Sequence, residues 1–335
     1  MSEKMSNQTW NKDVNGALLE AIRERMAQVI TRHLGQRPSS DTCISGLSVH
    51  RQTSPFGPKS YFFEPSFTFT VRGMKRVVLG DETYAYDQSH FLLTAVNLPT
   101  VMQVLQASDE HPYMCIMQKI DLELARSLMT EMDTHRGEGS AEDAGLVLGP
   151  VTMPLAAATM NLVDLIETPQ DAPFLAQSIQ REILFRLLTS PVGGRLRQAV
   201  QVGTRTNGIS KAIRWIRDHF VEPLRVQDLA EIARMGESTF HHHFRALTTM
   251  SPLQYQKQLR LHEARRLMIN DRMDASLAAH RVGYESATQF NREYRRLFGA
   301  PPKRDIRSIT FSDREFFDEG FPVIGGPQSG SATLQ

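Results

Sequence analysis

The sequence predicts an α+β chain. A small antiparallel β-barrel with flanking helices is followed by an all-α domain of two tandem helix-turn-helix units. Three observations predict it. Residues 226–247 and 275–299 repeat one pattern: Ala230 matches Ala279, Ala233 matches Val282, Phe240 matches Phe290 and Phe244 matches Tyr294. Residues 43–118 change to short alternating runs such as Ser66-Phe67-Thr68-Phe69-Thr70-Val71, separated by turn signals such as Gly80-Asp81. Charge divides along the same line. Residues 205–310 hold 19 Lys+Arg and 11 Asp+Glu, a net of +8, while the remainder is −7 within a chain total of +1. A basic part beside an acidic one assigns a polyanion partner to the former.

A length of 335 residues and an apolar content of 41% fit two globular cores. Residues 1–12 are polar and expected to be unstructured. Val14–Leu34 carries the stripe Leu18, Ile22, Met26, Val29 and Ile30 of an amphipathic helix. Strands follow at 66–71, 76–79, 84–86, 91–96, 100–105 and 113–118, enough for a sandwich or barrel. Helices are expected at 121–132, 155–167 and 172–188, with a Gly-rich loop at 134–143. On the last helix Leu175, Ile179, Ile183 and Leu187 form a stripe for packing on the barrel or on a second copy. The resulting division is 13–190, a linker at 191–208, a helical domain at 209–308 and a tail at 309–335.

Within the first repeat, Val226, Leu229, Ala230 and Ala233 make an apolar helix face, Gly236 serves the turn and Ser238 is a helix N-cap. Phe240 and Phe244, four apart, point inward. In the second repeat Gly283 turns, Ser286 caps, and Phe290 and Tyr294 point inward. The outward faces are then rich in His, Arg, Asn and Thr, residue types suited to base edges and phosphates.

These residues carry a resemblance. EPLRVQDLA, MGESTFHHHF, TTMSPLQYQKQLRLHEARRLM and HRVGYESATQFNREYRRLFGAPP resemble the DNA-binding domain of the AraC/XylS transcription regulators over residues 210–305. His241 and His242 stand where that family often has Arg or Gln. The stretch EPSFTFTVRGMKRVVLGDETYAYDQSHFLL followed by VNLPTVMQV is similar to the cupin-like N-terminal domain of one AraC-type group, which includes the aldehyde-responsive regulator YqhC. The resemblance implies a regulator, an activator by family habit, with double-stranded DNA, RNA polymerase, a small-molecule effector and a second copy of the chain as partners. Matched position by position, it implies base contacts from Ser238, His241, His242, Ala287, Thr288, Asn291 and Arg292. It implies phosphate contacts from Arg245, Lys257, Arg260, Arg295, Arg296 and Lys303. An effector pocket, if the barrel encloses one, is expected from His50, Tyr61, Phe63, Tyr84, Tyr86 and Cys115.

Other chemistries find less support. His50, His90 and His111 form no His-x-His pair, and three consecutive histidines on a helix point about 100° apart, so no metal or other cofactor is expected. No nucleophile–base motif marks a catalytic centre. A barrel enzyme with an appended DNA-binding domain, a thiol or aldehyde sensor acting through Cys115, and a non-specific architectural DNA binder remain the alternatives. Cys43 and Cys115 lack metal or redox spacing, and the N-terminus is charged, so a reducing cytoplasm is expected, with no membrane span.

Overall fold

The computed structural model describes residues 2–132, 145–201 and 205–308, with the side chains of 15–132, 145–201 and 205–307. In chain order, α1 (Ser2–Leu34) leads to β1 (Ser39–Asp41), β2 (Leu47–Gln52), β3 (Phe56–Phe63), β4 (Ser66–Arg72) and β5 (Met74–Leu79). Then come β6 (Glu82–Tyr86), β7 (His90–Thr94), β8 (Leu98–Gln106), β9 (Tyr113–Lys119), α2 (Leu122–Glu131) and β10 (Leu146–Pro150). Three helices follow, α3 (Met153–Asp164), α4 (Ala172–Thr189) and α5 (Gly194–Val200). The helical part comprises α6 (Arg205–Asp218), α7 (Val226–Ala233), α8 (Glu237–Thr248), α9 (Pro252–Ile269), α10 (Ala275–Arg281), α11 (Ala287–Phe298) and α12 (Pro302–Ser308).

The strands form two antiparallel sheets, β1-β2-β9-β4-β7-β10 and β3-β8-β5-β6. Period-two alternation explains their sequences. On β4, Phe67, Phe69 and Val71 face outward into a core shared with Met26, Val29 and Ile30 of α1, Leu162 of α3 and Leu187 of α4. Thr68 lines the barrel interior instead. The neighbouring β9 divides likewise, Met114 and Ile116 to the helices and Cys115 and Met117 to the interior. Phe67 and Phe91 meet edge-on at 5.5 Å, an arrangement that adds to plain burial.

The second sheet joins the barrel to the helical part. Its buried Tyr61, Phe62, Phe63 and Val77 share one continuous core with Phe244, Tyr255 and Leu259. The rings of Phe62 and Tyr255 are 6.3 Å apart, and Tyr255 Oη donates to Asn97 O at 2.9 Å. Gly145 N donates to Leu247 O at 2.9 Å. Gly80, at φ +59°, admits Thr249 where any Cβ would collide with it. His262 lies between Phe62, at 6.4 Å, and Phe298, at 5.4 Å.

The structure corrects several expectations. Residues 2–12 are helical and extend α1 toward the N-terminus. The expected linker at 191–208 holds α5 and the first turn of α6, where the Gly208 Cα packs against Ala233 O, which a Cβ would meet at 2.6 Å. β1, β2, β3 and β10 give weak local signals: β1 has three residues, β3 and β10 carry Gly and Pro, and β2 has only Leu47 and Val49 as apolar residues. The expected loop at 134–143 and tail at 309–335 lie outside the described residues. On α4, Ile183 and Leu187 are buried and Ile179 packs on the same core, while Leu175 is half exposed. Among the described residues, no helix is long and apolar enough to cross a membrane.

Burial, aided by Lys75 for His50 and by Arg265 for His262, lowers both imidazoles from 6.5 to about 3. The fold therefore requires their neutral forms. Their contribution is complete above pH 6.5 and is lost as pH falls toward 3, by up to about 1.4 kcal/mol per pH unit for each group. Urea midpoints are expected to drop between about pH 7 and about pH 5, and His262→Phe to flatten that profile; a profile identical in the variant refutes the assignment.

Candidate nucleic-acid interface

The two repeats solve one backbone problem by different residues. After α7, Met235 N reaches back to Ala230 O at 2.9 Å; after α10, Tyr284 N reaches Ala279 O at 2.9 Å. These bonds satisfy carbonyls that a helix end leaves open, and they require one left-handed residue. In the second repeat that residue is Gly283, at φ +86°, where a Cβ would meet Val221 O at 2.5 Å. In the first it is Arg234, at φ 56°, exposed to solvent. The turn therefore does not depend on the left-handed freedom of Gly236, which has φ −68° and is itself the N-cap of α8. Ser238, expected as the cap, sits one residue inside the helix. Ser286 does cap α11, accepting from Gln289 N at 3.3 Å.

Each second helix is seated by an aromatic pair: Phe240 and Phe244, with ring centroids 5.4 Å apart, and Phe290 and Tyr294, also 5.4 Å apart. The second pair gains a polar anchor. Tyr294 Oη donates to Asp305 Oδ2 at 2.7 Å, and Arg265 holds the same carboxylate at 2.8 and 3.0 Å, tying α9, α11 and α12 together. With the aromatics inward, Ser238, His241, His242 and Arg245 of α8 are exposed, as are Ala287, Thr288, Asn291, Arg292, Arg295 and Arg296 of α11. The helix α9, whose capping box pairs Ser251 with Gln254, joins the two units. Its 18 residues rise about 27 Å.

The expected phosphate set divides. Among the described residues, Arg245, Arg292, Arg295 and Arg296 make no ion pair. Lys303 lies exposed on α12, near enough to Asp274 to help lower its carboxyl, after the larger effect of the Ser276 N–H. Lys257 is paired with Glu293 at 3.1 Å. Burial would raise the Glu293 carboxyl, but hydrogen bonds from Lys257, Tyr284 and Gln289 outweigh it and hold the carboxyl low. Arg260 is already engaged within the fold. Its guanidinium donates to the carbonyls of Phe220, Val221, Glu222 and Gly283 at 2.7–3.1 Å, fastening α9 to the α6–α7 connection and to the turn of the second repeat. Arg292 and Arg296 also border a cleft of about 620 Å³ between α9, α11 and the outer side of β5 and β8.

Of the expected effector pocket, His50, Tyr61, Phe63 and Cys115 line one interior cavity. Tyr84 and Tyr86 do not line it: Tyr84 packs half-buried on the shared core, and Tyr86 is buried beside Lys75, its cross-strand neighbour. Lys75 does line it and escaped sequence reading. The signal was there, since Lys75 precedes the inward Val77 and Leu79 at a spacing of two. Burial pushes the Cys115 thiol up, which leaves it a poor nucleophile. Among the described residues, no group of three His, Cys, Asp or Glu could hold a metal ion.

Comparison with known proteins follows this division. Residues 43–195 match the family model described as the AraC-type transcriptional regulator N-terminus, and residues 229–308 match that of a helix-turn-helix domain. The HTH-type transcriptional activator RhaS of Salmonella paratyphi B is 30% identical over 149 residues, covering 44% of this chain and 52% of RhaS; RhaS of Salmonella typhimurium matches equally. The chain thus spans about half the length of the curated relatives it matches. Among solved structures, an apo variant of ToxT from Vibrio cholerae superposes with a TM-score of 0.51 at 14% identity, over 79% of this chain and 98% of ToxT. ToxT bound to (E)-4-(8-methylnaphthalen-1-yl)but-3-enoic acid gives 0.53 at 12% identity, over the same shares. These two establish likeness of fold.

The two turns are expected to respond oppositely to substitution. Arg234→Gly relieves a left-handed residue and raises stability by about 1 kcal/mol. Gly283→Ala adds that strain and a clash, and lowers stability by more than about 2 kcal/mol. Denaturant unfolding of both variants checks this, and a destabilised Arg234→Gly contradicts the account.

Proposed function

We propose that the chain is a sequence-specific DNA-binding transcription regulator controlled by a small molecule in the barrel, because residues 43–195 match the AraC-type regulator N-terminus and residues 229–308 match a helix-turn-helix domain. The observation that carries this is the pair of exposed helix faces on α8 and α11, fastened to one rigid α9. Each suits the major groove, with its N-terminal half toward base edges. In this reading Ser238, His241, His242, Ala287, Thr288, Asn291 and Arg292 meet bases. Arg292 matches guanine O6 and N7, and Asn291 matches adenine. Arg245, Arg295, Arg296 and Lys303 supply phosphate attraction, and Lys257 joins them when it leaves Glu293. Arg260 is assigned to architecture.

Effector control is supported by the shared core. Tyr61 and Phe63 face the cavity, and Phe62, between them, contacts Tyr255. A ligand that moves β3 therefore moves the floor of the DNA-binding unit. Activation is the proposed sign, in line with the activator RhaS, with RNA polymerase as the downstream partner. A second copy is the proposed partner of α4, where Phe174 is 81% exposed and Phe185, about three turns further along, is 42% exposed. The reading assigns the chain no enzymatic activity.

Sequencing of genomic fragments retained by the full-length protein at about 0.15 M salt tests the reading, since weak phosphate-only contacts are screened there. One discrete motif with two elements about one helical turn apart is expected. Recovery of unselected DNA overturns specificity. On the recovered motif, Arg292→Ala is expected to lose about 1–3 kcal/mol of discrimination at one base position. A uniform small loss across all sequences points instead to an architectural binder.

A further inference from the structure

Inside the barrel, two cross-strand rows face each other. One runs Val104, Lys75, Tyr86 across β8, β5 and β6; the other runs His50, Cys115, Thr70 across β2, β9 and β4. Lys75 is only 6% exposed, and its Nζ stands 5.3 Å from the Phe63 ring centre. Among the described residues, no carboxylate pairs with it. The groups facing it are His50, Cys115, Tyr113 and Tyr86, none of which supplies an anion: burial raises the thiol and both phenols and lowers the imidazole. The Thr68 hydroxyl, which lines the cavity, is buried with no hydrogen-bond partner among the described residues. The rest of the wall is apolar, with Phe56, Met102, Val104 and Met117.

This arrangement is costly for an empty core. Period two places Lys75 on the face of Val77 and Leu79, where an apolar side chain would pack without penalty. A buried amine instead gives up its charge or finds an anion, and burial does lower the Lys75 ammonium. A single lysine balances a single negative charge. The stranded Thr68 hydroxyl can serve a remaining lone pair of a planar, two-oxygen head, and the apolar wall suits a hydrocarbon body.

We propose that the barrel interior binds an apolar monocarboxylate, its head on the Lys75 ammonium and the Thr68 hydroxyl, its body against Phe63, Met102 and Met117. The inference rests on the reading of the barrel as the effector domain and names the class of effector. Free volume in the cavity is about 20 Å³, room for a single water, so the ligand makes its own space. Met102 and Met117 are unbranched and repack readily. The mouth lies at half-buried Gln52 and Phe56, beside the β3 irregularity between Phe56 and Lys59.

Calorimetric titration of the full-length protein with the sodium salts from acetate to octanoate, and with the primary amides of the same chains, tests the proposal. Carboxylates are expected to bind, and the amide of equal length to bind about tenfold more weakly or worse, because it forfeits the charge-assisted bond. Lys75→Met is expected to abolish that preference while leaving the amide affinity unchanged. Equal binding of acid and amide, a preference that survives Lys75→Met, or no binding by any acid of the series overturns the proposal. Should Lys75→Met fail to fold by thermal melt, the acid-against-amide comparison on the unaltered chain still decides. Genomic selection run alongside separates the two ideas: a discrete DNA motif without carboxylate binding sinks only the effector class.

Discussion

The phenol of Tyr255 is the contact on which the arrangement of the molecule depends. Its ring lies 5.7 Å from Phe244 and 6.3 Å from Phe62, and its hydroxyl donates to the Asn97 carbonyl. One side chain thus belongs to the first helix-turn-helix core, to α9 and to the barrel wall at once. It is wholly buried, so burial pushes the phenol far above its ordinary range and fixes it as a neutral donor. Two aromatic cores that could have been separate are continuous because this ring fills the space between them.

Continuity of that kind makes the pleat of β3 functionally important. Successive residues of a strand point to opposite faces, so Tyr61 and Phe63 line the cavity while Phe62 meets Tyr255 and His262. A packed interior transmits a change of side-chain volume instead of absorbing it. No hinge or long lever is needed to connect the cavity with α9. The same logic gives Gly80 its role, since the approach of Thr249 leaves no room for a Cβ.

The helical part shows how a repeated motif tolerates local variation while its hydrogen bonding persists. Both turns close with the same backbone bond between residues five apart, yet one uses glycine and the other arginine at the left-handed position. The difference lies in what surrounds each. Gly283 sits against Val221 O, whereas Arg234 faces solvent. Arg260 then uses its fixed fork of donors on four carbonyls, three from the α6–α7 connection and one from the second turn, which ties both units to α9.

By itself the sequence determined what rests on periodicity. The 3.6-residue spacing of Phe240 and Phe244, repeated at Phe290 and Tyr294, located both second helices and their outward faces. Alternation at 66–71 identified the barrel, and cap chemistry at Ser286 placed the start of α11. Tertiary structure decided what depends on partners far apart in the chain. Arg260 looks like any surface cation until the Phe220 and Gly283 carbonyls are brought to it. Lys257 looks free until Glu293 arrives from α11. Lys75, between Met74 and Arg76, looks solvated until β8 and β6 close on either side of it and the opposite sheet covers it. The physical reason is one and the same: local patterns report which face of an element is buried, but the cost of burying a charge, and what repays it, is set by groups that only the fold brings together.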